Sequence, residues 1–150
     1  MTPQNKNIIY DSNLINSYDY FLPICPETDL IFYKYIEKIH LSVKNMNISS
    51  LDSLLVTSDK YLLKSVCKNN NIPNPDSYIS KSKDKLYILK DRFGCGSSHI
   101  ELCDKAIKNI PKDKIIENYI PGISYSISLY LSNNNYRLIS INEQKIKKSK

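Results

Sequence analysis

A chain of 150 residues with 41% hydrophobic and 24% charged residues is long enough to bury one core and short of two complete ones. No apolar run approaches the roughly 20 residues that span a bilayer as a helix, so a helical membrane protein is excluded. The formal charge of +6 leaves a polyanion partner open, but the lysines lie among acidic residues and only "KIKKSK", residues 145–150, is a dense run. That is the pattern of solvated faces, and the expectation is no nucleic-acid partner.

The first thirty residues have no basic start, apolar centre and small-residue cleavage site, so a cytoplasmic location is expected. Cys25, Cys67, Cys95 and Cys103 show no CxxC pairing, and His40 and His99 are scattered. Reduced thiols and no metal site among these residue types follow from the spacing.

Taken in order, "YDYFLPICPE" (18–27) alternates and is broken by prolines, which predicts a short strand and a turn. "TDLIFYKYIEKIHL" (28–41) places Leu30, Tyr33, Ile36 and His40 at helical spacing behind Thr28 or Asp29 as the cap, with His40 a half-buried packing residue. "MNISSLDSLLV" (46–56) reads as polar and turn-rich. The helical period resumes in "TSDKYLLKSVCKNNN" through Leu62, Leu63, Val66 and Cys67, with Thr57 or Ser58 as cap and Lys60 in the first turn. Pro73 and Pro75 then hold the chain extended.

"LYILK" (86–90) is a β-type run, followed by Gly94-Cys95-Gly96-Ser97-Ser98 and by "HIEL", so strand, loop, strand is expected. "DKAIKNI" (104–110) predicts a short helix and "KIIENYI" (114–120) a buried strand stopped at Pro121-Gly122. Alternation through Tyr125, Ile127, Leu129 and Leu131, three asparagines and a return through Leu138 to Asn142 predict a β-hairpin. The mixed order predicts an α+β fold.

Glycines let main-chain N–H groups crowd around an anion, so the loop 94–98 is either a phosphate cradle or a plain tight turn between paired strands. It has no GK[ST] ending, and His99 stands where GxGxxG needs its last glycine.

The ordered set "SDK", "NIPNP", "LYILK", the glycine-serine loop and "IIENYIPGISYSISL" resembles the ATP-grasp ligase superfamily over residues 57–142. "DYFLPICPETDLIFY" and "LISINEQKI" look most like an archaeal branch of it that joins glutamate to tyramine in methanofuran biosynthesis. The resemblance implies a partial ATP-grasp fold: a remnant of a Rossmann-like domain at 1–56, the small subdomain at 57–116, and an incomplete start of the large subdomain at 117–150. It implies that Lys60 and Lys90 contact the ATP phosphates, and that Gly94, Cys95, Gly96, Ser97 and Ser98 close over them. It also implies that Glu117 and the backbone of Asn118 and Tyr119 read the adenine edge, with Ile88 and Ile120 as apolar walls.

The chain departs from the pattern in three places. Asp91 and Arg92 follow Lys90, and Asp91 sets negative charge near the phosphates unless Arg92 or a metal compensates. Ser124 stands where many relatives hold ribose with an acid. Glu143 is the only acid after Glu117, so the magnesium that such ligases carry on later carboxylates has no ligands in this chain.

The first reading is therefore the ATP-binding portion of a carboxylate–amine ligase, truncated or split, with ATP, an acid and an amine as partners. The second is a non-catalytic nucleotide binder or decayed fragment that needs a complementary chain or a second copy. A basic nucleic-acid binder is the third.

Overall fold

The computed structural model describes residues 11–44, 46–75, 86–94, 100–103, 107, 109–132 and 135–145. The chain divides into two compact units, Met1–Tyr119 and Ile120–Lys150. A strand, Lys114–Asn118, contains residues 116 and 117, between which a subdomain boundary is expected, and the division falls after it.

Four helices open the first unit. α1 (Ser12–Asn16) starts on the Asp11 carboxylate, which accepts from the Asn13 and Leu14 amides. A single 3₁₀ turn, Thr28–Leu30, leads into α2 (Ile31–Ile39). Asp29 and Leu30 sit at positive φ (53° and 60°), so neither Thr28 nor Asp29 caps α2, and no side chain does. The buried positions of α2 are Ile36, which the expected stripe included, and Ile39, which it did not, and Tyr33 of that stripe packs against them. With Val43 and Leu54, Ile36 and Ile39 form the first core, against which Phe21, Phe32 and Leu51 pack. His40 is half-buried, its Nδ1 2.7 Å from the Glu37 carbonyl.

The stretch expected to be turn-rich carries α3 (Leu51–Ser58), capped by Ser50, whose Oγ accepts from Ser53 N at 3.2 Å. A Ser followed by an apolar run is a helix-start pattern, which the polar residues before it obscure. α4 (Lys60–Asn69) begins at Asp59, the actual cap in place of Thr57 or Ser58. An Asp carboxylate accepts two amides here, from Tyr61 and Leu62, while the Thr57 hydroxyl turns back to the α3 carbonyls of Ser53 and Leu54. α4 buries no residue fully: Leu63 and Val66 are exposed, and only Leu62 and Cys67 of its apolar stripe are half-covered. The expected strand near Phe21 is reduced to one parallel bridge, Phe21 to Met46, because Pro23 and Pro26 deprive it of donors.

β1 (Tyr87–Asp91) is central in a three-stranded antiparallel sheet between β2 (Glu101–Cys103) and β3 (Lys114–Asn118). Tyr87, Leu89 and Ile116 form the second core on one face, with Cys103 and Ile107 against it. The period of two puts Ile88, Lys90, Ile115 and Glu117 on the opposite face. The helix expected over 104–110 lies largely outside the described residues, as does the segment after Pro75.

The second unit is a hairpin of β4 (Tyr125–Ser132) and β5 (Asn135–Glu143), with a register shift at Ser128/Leu129. Cross-strand pairs Ile127–Ile141, Leu129–Leu138 and Leu131–Tyr136 make one face apolar, and all six residues are exposed.

Candidate functional site

The site grows from the junction of α4 with the far end of β1. Asp59 is 3% exposed and does two jobs: it caps α4 and it takes both arms of Arg92, from Nε at 2.8 Å and Nη2 at 2.6 Å. The Arg92 guanidinium lies over the Tyr61 and Phe93 rings, 5.2 and 5.1 Å from their centroids. Burial alone would raise the Asp59 carboxyl, but Arg92 and the Tyr61 and Leu62 amides outweigh it and hold it below its usual range. The same pairing raises the Arg92 guanidinium. The Lys60 amide donates to the Arg92 carbonyl at 3.1 Å, and Asp59 bridges Phe93, so the start of α4 is fixed to the end of β1 by backbone as well.

That anchoring sets the lysines. Lys60 Nζ donates to the Gly94 carbonyl at 2.6 Å, at the entry to the glycine loop. Gly94 has φ +92°, a conformation that favours glycine, and a Cβ there would also lie 3.3 Å from Thr28 Cγ2, a tight contact. One turn along the same side of α4, Lys64 Nζ reaches Glu117 Oε1 at 3.1 Å and also donates to the Pro75 carbonyl. Lys90 Nζ meets the other carboxylate oxygen, Oε2, at 2.5 Å. Lys60 and Lys90 therefore stand on one side of the sheet, linked through Lys64 and Glu117.

Glu117 is the centre of this arrangement. Its side chain is 7% exposed, against 14% for Lys64 and 26% for Lys90. Two ammonium groups on one carboxylate leave a net positive charge on this face of the sheet, which suits an anion.

Arg92, one of the two compensators the sequence allowed for Asp91, does not pair with it, because Arg92 is committed to Asp59. The Asp91 carboxylate instead meets Lys114 Nζ at 3.0 Å across the β1–β3 ladder, and the Asp91 hydrogen bond raises the Lys114 ammonium. Asp91 and Lys114 line a cleft of about 420 Å³ with Thr28, Asp29, Phe93 and Asp113.

The remaining expected residues divide clearly. The Tyr119 amide is used by the Leu86 carbonyl at 2.9 Å, which extends the β1–β3 ladder and removes it as a donor to a base. This bond, with Arg92 N to Asp113 O at 2.8 Å, sets the alternation, so the Asn118 backbone groups point away from β1 to the open edge of β3. The Asn118 side chain lies on the Tyr87 side, where Oδ1 is buried with no hydrogen-bond partner among the described residues. Ile88 is half-buried on the lysine face. Ile120 and Ser124 belong to the second unit, where the Ser124 carbonyl accepts from Gln144 N. Cys95, Gly96, Ser97 and Ser98 lie outside the described residues.

Sequence reasoning missed Lys64 and the Asp59–Arg92 pair. Lys64 had a signal, its i,i+4 spacing from Lys60. Asp59 and Arg92 are 33 positions apart, and nothing local joins them.

An anchored helix start, a glycine turn and lysines on a strand–helix face make up the candidate site. The ATP-grasp domain family matches residues 57–150, and the chain belongs to that family. It is similar to tyramine–L-glutamate ligase of Methanocaldococcus fervens, 34% identical over 131 residues that cover 85% of this chain and 39% of that protein. It also resembles fusarielin synthase of Gibberella zeae, at 27% identity over 68% of this chain and 4% of that protein. A crystal structure of an ATP-grasp superfamily protein from Archaeoglobus fulgidus superposes with a TM-score of 0.72 and 28% identity, covering 90% of this chain and 41% of that one. The chain thus spans about two-fifths of the length of the ligase and of the solved structure. No helix among the described residues is long and apolar enough to cross a membrane.

Proposed function

We propose that this chain is the ATP-binding portion of an ATP-dependent carboxylate–amine ligase, with glutamate and tyramine as the acid and amine. The observation that carries the reading is the convergence of Lys60, Lys64 and Lys90 on one side of the β1–β3 sheet, around Glu117 and the Gly94 turn. Lys60 and Lys90 would hold the phosphates, residues 94–98 would close over them, and the open edge of β3 at Asn118 would meet the adenine. Bound ATP supplies a γ-phosphoryl group to a carboxylate; ADP leaves, the amine attacks the acyl carbon, and phosphate departs. Charge neutralisation is the contribution these lysines are built to make.

Among the described residues no three or more His, Cys, Asp or Glu side chains cluster, and no step is assigned to a metal.

The exposed apolar face of the β4–β5 hairpin favours a second element of the same reading, a need for further polypeptide before turnover. A two-stranded ribbon is marginal alone, and a face of this kind is ordinarily covered. Calorimetric titration of ATP and of ADP into the chain and into Lys90→Met tests the site. Binding by the parent chain that the variant loses supports the reading, and equal binding by both refutes the phosphate role of Lys90.

A further inference from the structure

We infer that Lys64 is a positioning residue: it supplies the counter-charge that lets Lys90 serve an anionic ligand instead of being neutralised by Glu117. This rests on the reading that Lys90 meets nucleotide phosphates, and adds to it a residue on which that contact depends.

The argument is one of charge and burial. Glu117 is nearly enclosed, and a buried carboxylate that loses its last cation is strongly unfavourable. Each of its oxygens holds one ammonium, Lys64 on Oε1 and Lys90 on Oε2. Lys90 is the more exposed of the two lysines, on a strand that leads directly to the Gly94 turn. Lys64 is the more enclosed and is tethered a second time, to the Pro75 carbonyl. The two pairs are therefore unequal in role. Lys64 stays with Glu117, and Lys90 can turn a proton, or its whole head group, toward a phosphate while the carboxylate remains compensated. Without Lys64 the pair Lys90–Glu117 becomes a closed neutral unit, and any movement of Lys90 strands a buried negative charge.

A structural brace and a charge partner differ in what they discriminate. A brace would weaken every ligand of the site. A counter-charge acts only on the phosphates, so the quantity to measure is the preference for ADP over adenosine, the ratio of their dissociation constants.

The experiment titrates adenosine and ADP at low salt into the 150-residue chain, Lys64→Met, Lys64→Arg, Lys90→Met and Lys64→Met/Glu117→Gln, each checked for folding by circular dichroism. Lys64→Met is expected to cut the ADP preference by about tenfold or more, the scale of an uncompensated buried charge. Lys64→Arg retains the preference within about threefold, since the charge is kept. Adding Glu117→Gln to Lys64→Met restores it, because the acid that sequesters Lys90 is gone. The double variant also keeps the test decisive where Lys64→Met alone fails to fold.

An unchanged preference in Lys64→Met, parallel loss of adenosine and ADP, or no recovery in the double variant overturns the role of Lys64. Lys90→Met separates this from the underlying reading: if it leaves the ADP preference intact, the phosphate role of Lys90 is refuted, if the parent chain shows no preference the phosphate site itself is refuted, and in either case the inference falls with it.

Discussion

Replacing Asp59 with alanine removes three things at once: the cap of α4, both hydrogen bonds to Arg92, and a buried negative charge. A lost N-cap costs about 1 kcal/mol. Breaking a buried ion pair costs about 3–5 kcal/mol when both partners are enclosed. Arg92 keeps 30% of its side chain in solvent and can rehydrate, so the lower end applies and the total is about 3–4 kcal/mol. That is a large share of the roughly 5–15 kcal/mol available to a domain. Asp59→Asn keeps a capping oxygen and one acceptor for Arg92, and is expected to cost about 1–2 kcal/mol.

Urea unfolding followed by circular dichroism at neutral pH measures both, with the difference between the variants isolating cap and geometry from charge. The pH dependence gives an independent check. The folded-state Asp59 carboxyl lies below its unfolded value, so its contribution is full above the unfolded value of about 3.9. It is lost as pH falls through the lower, folded value. The urea midpoint of the parent chain should therefore drop on acidification below about pH 4, and part of that drop should be missing in Asp59→Asn. A loss of less than about 1 kcal/mol in Asp59→Ala, or identical acid profiles for parent and Asp59→Asn, would refute the reasoning.

Ile39→Ala, at a position with 0% exposure in the first core, should lower unfolding free energy by about 2–5 kcal/mol in the same assay. Gly94→Ala should cost about 1–2 kcal/mol from the positive φ alone; Thr28→Ala relieves the 3.3 Å approach and should recover only part of it. Lys114→Ala, which removes a partly solvated partner of Asp91, should leave the urea midpoint nearly unchanged, and a clear drop would show that the pair braces the sheet. Amides of β4 and β5 should exchange with solvent much faster than those of β1 and β3 in dilute solution, because a lone ribbon opens locally. Equal protection at low concentration would contradict that.

Local patterns carried much of this protein. The alternation in "LYILK" and "KIIENYI", the hairpin and the α+β class were legible because a two-residue period and a buried face are properties of neighbouring residues. So was the placement of Lys60 in a first helical turn, and the ordered motifs that mark the family. What adjacency could not supply was partnership. Which oxygen caps α4 depended on Asp59 being held by Arg92, and which side of α2 is buried depended on where α3 lies. That Arg92 serves Asp59 while Lys114 answers Asp91 was decided by the register of β1 against β3. The family resemblance puts Glu117 at the adenine, whereas the fold encloses its side chain between two lysines, 53 positions from one of them. The reason is physical: burial and charge pairing are relations between distant segments, and only tertiary packing brings a helix turn from residues 60–64 onto a strand face that ends at residue 118.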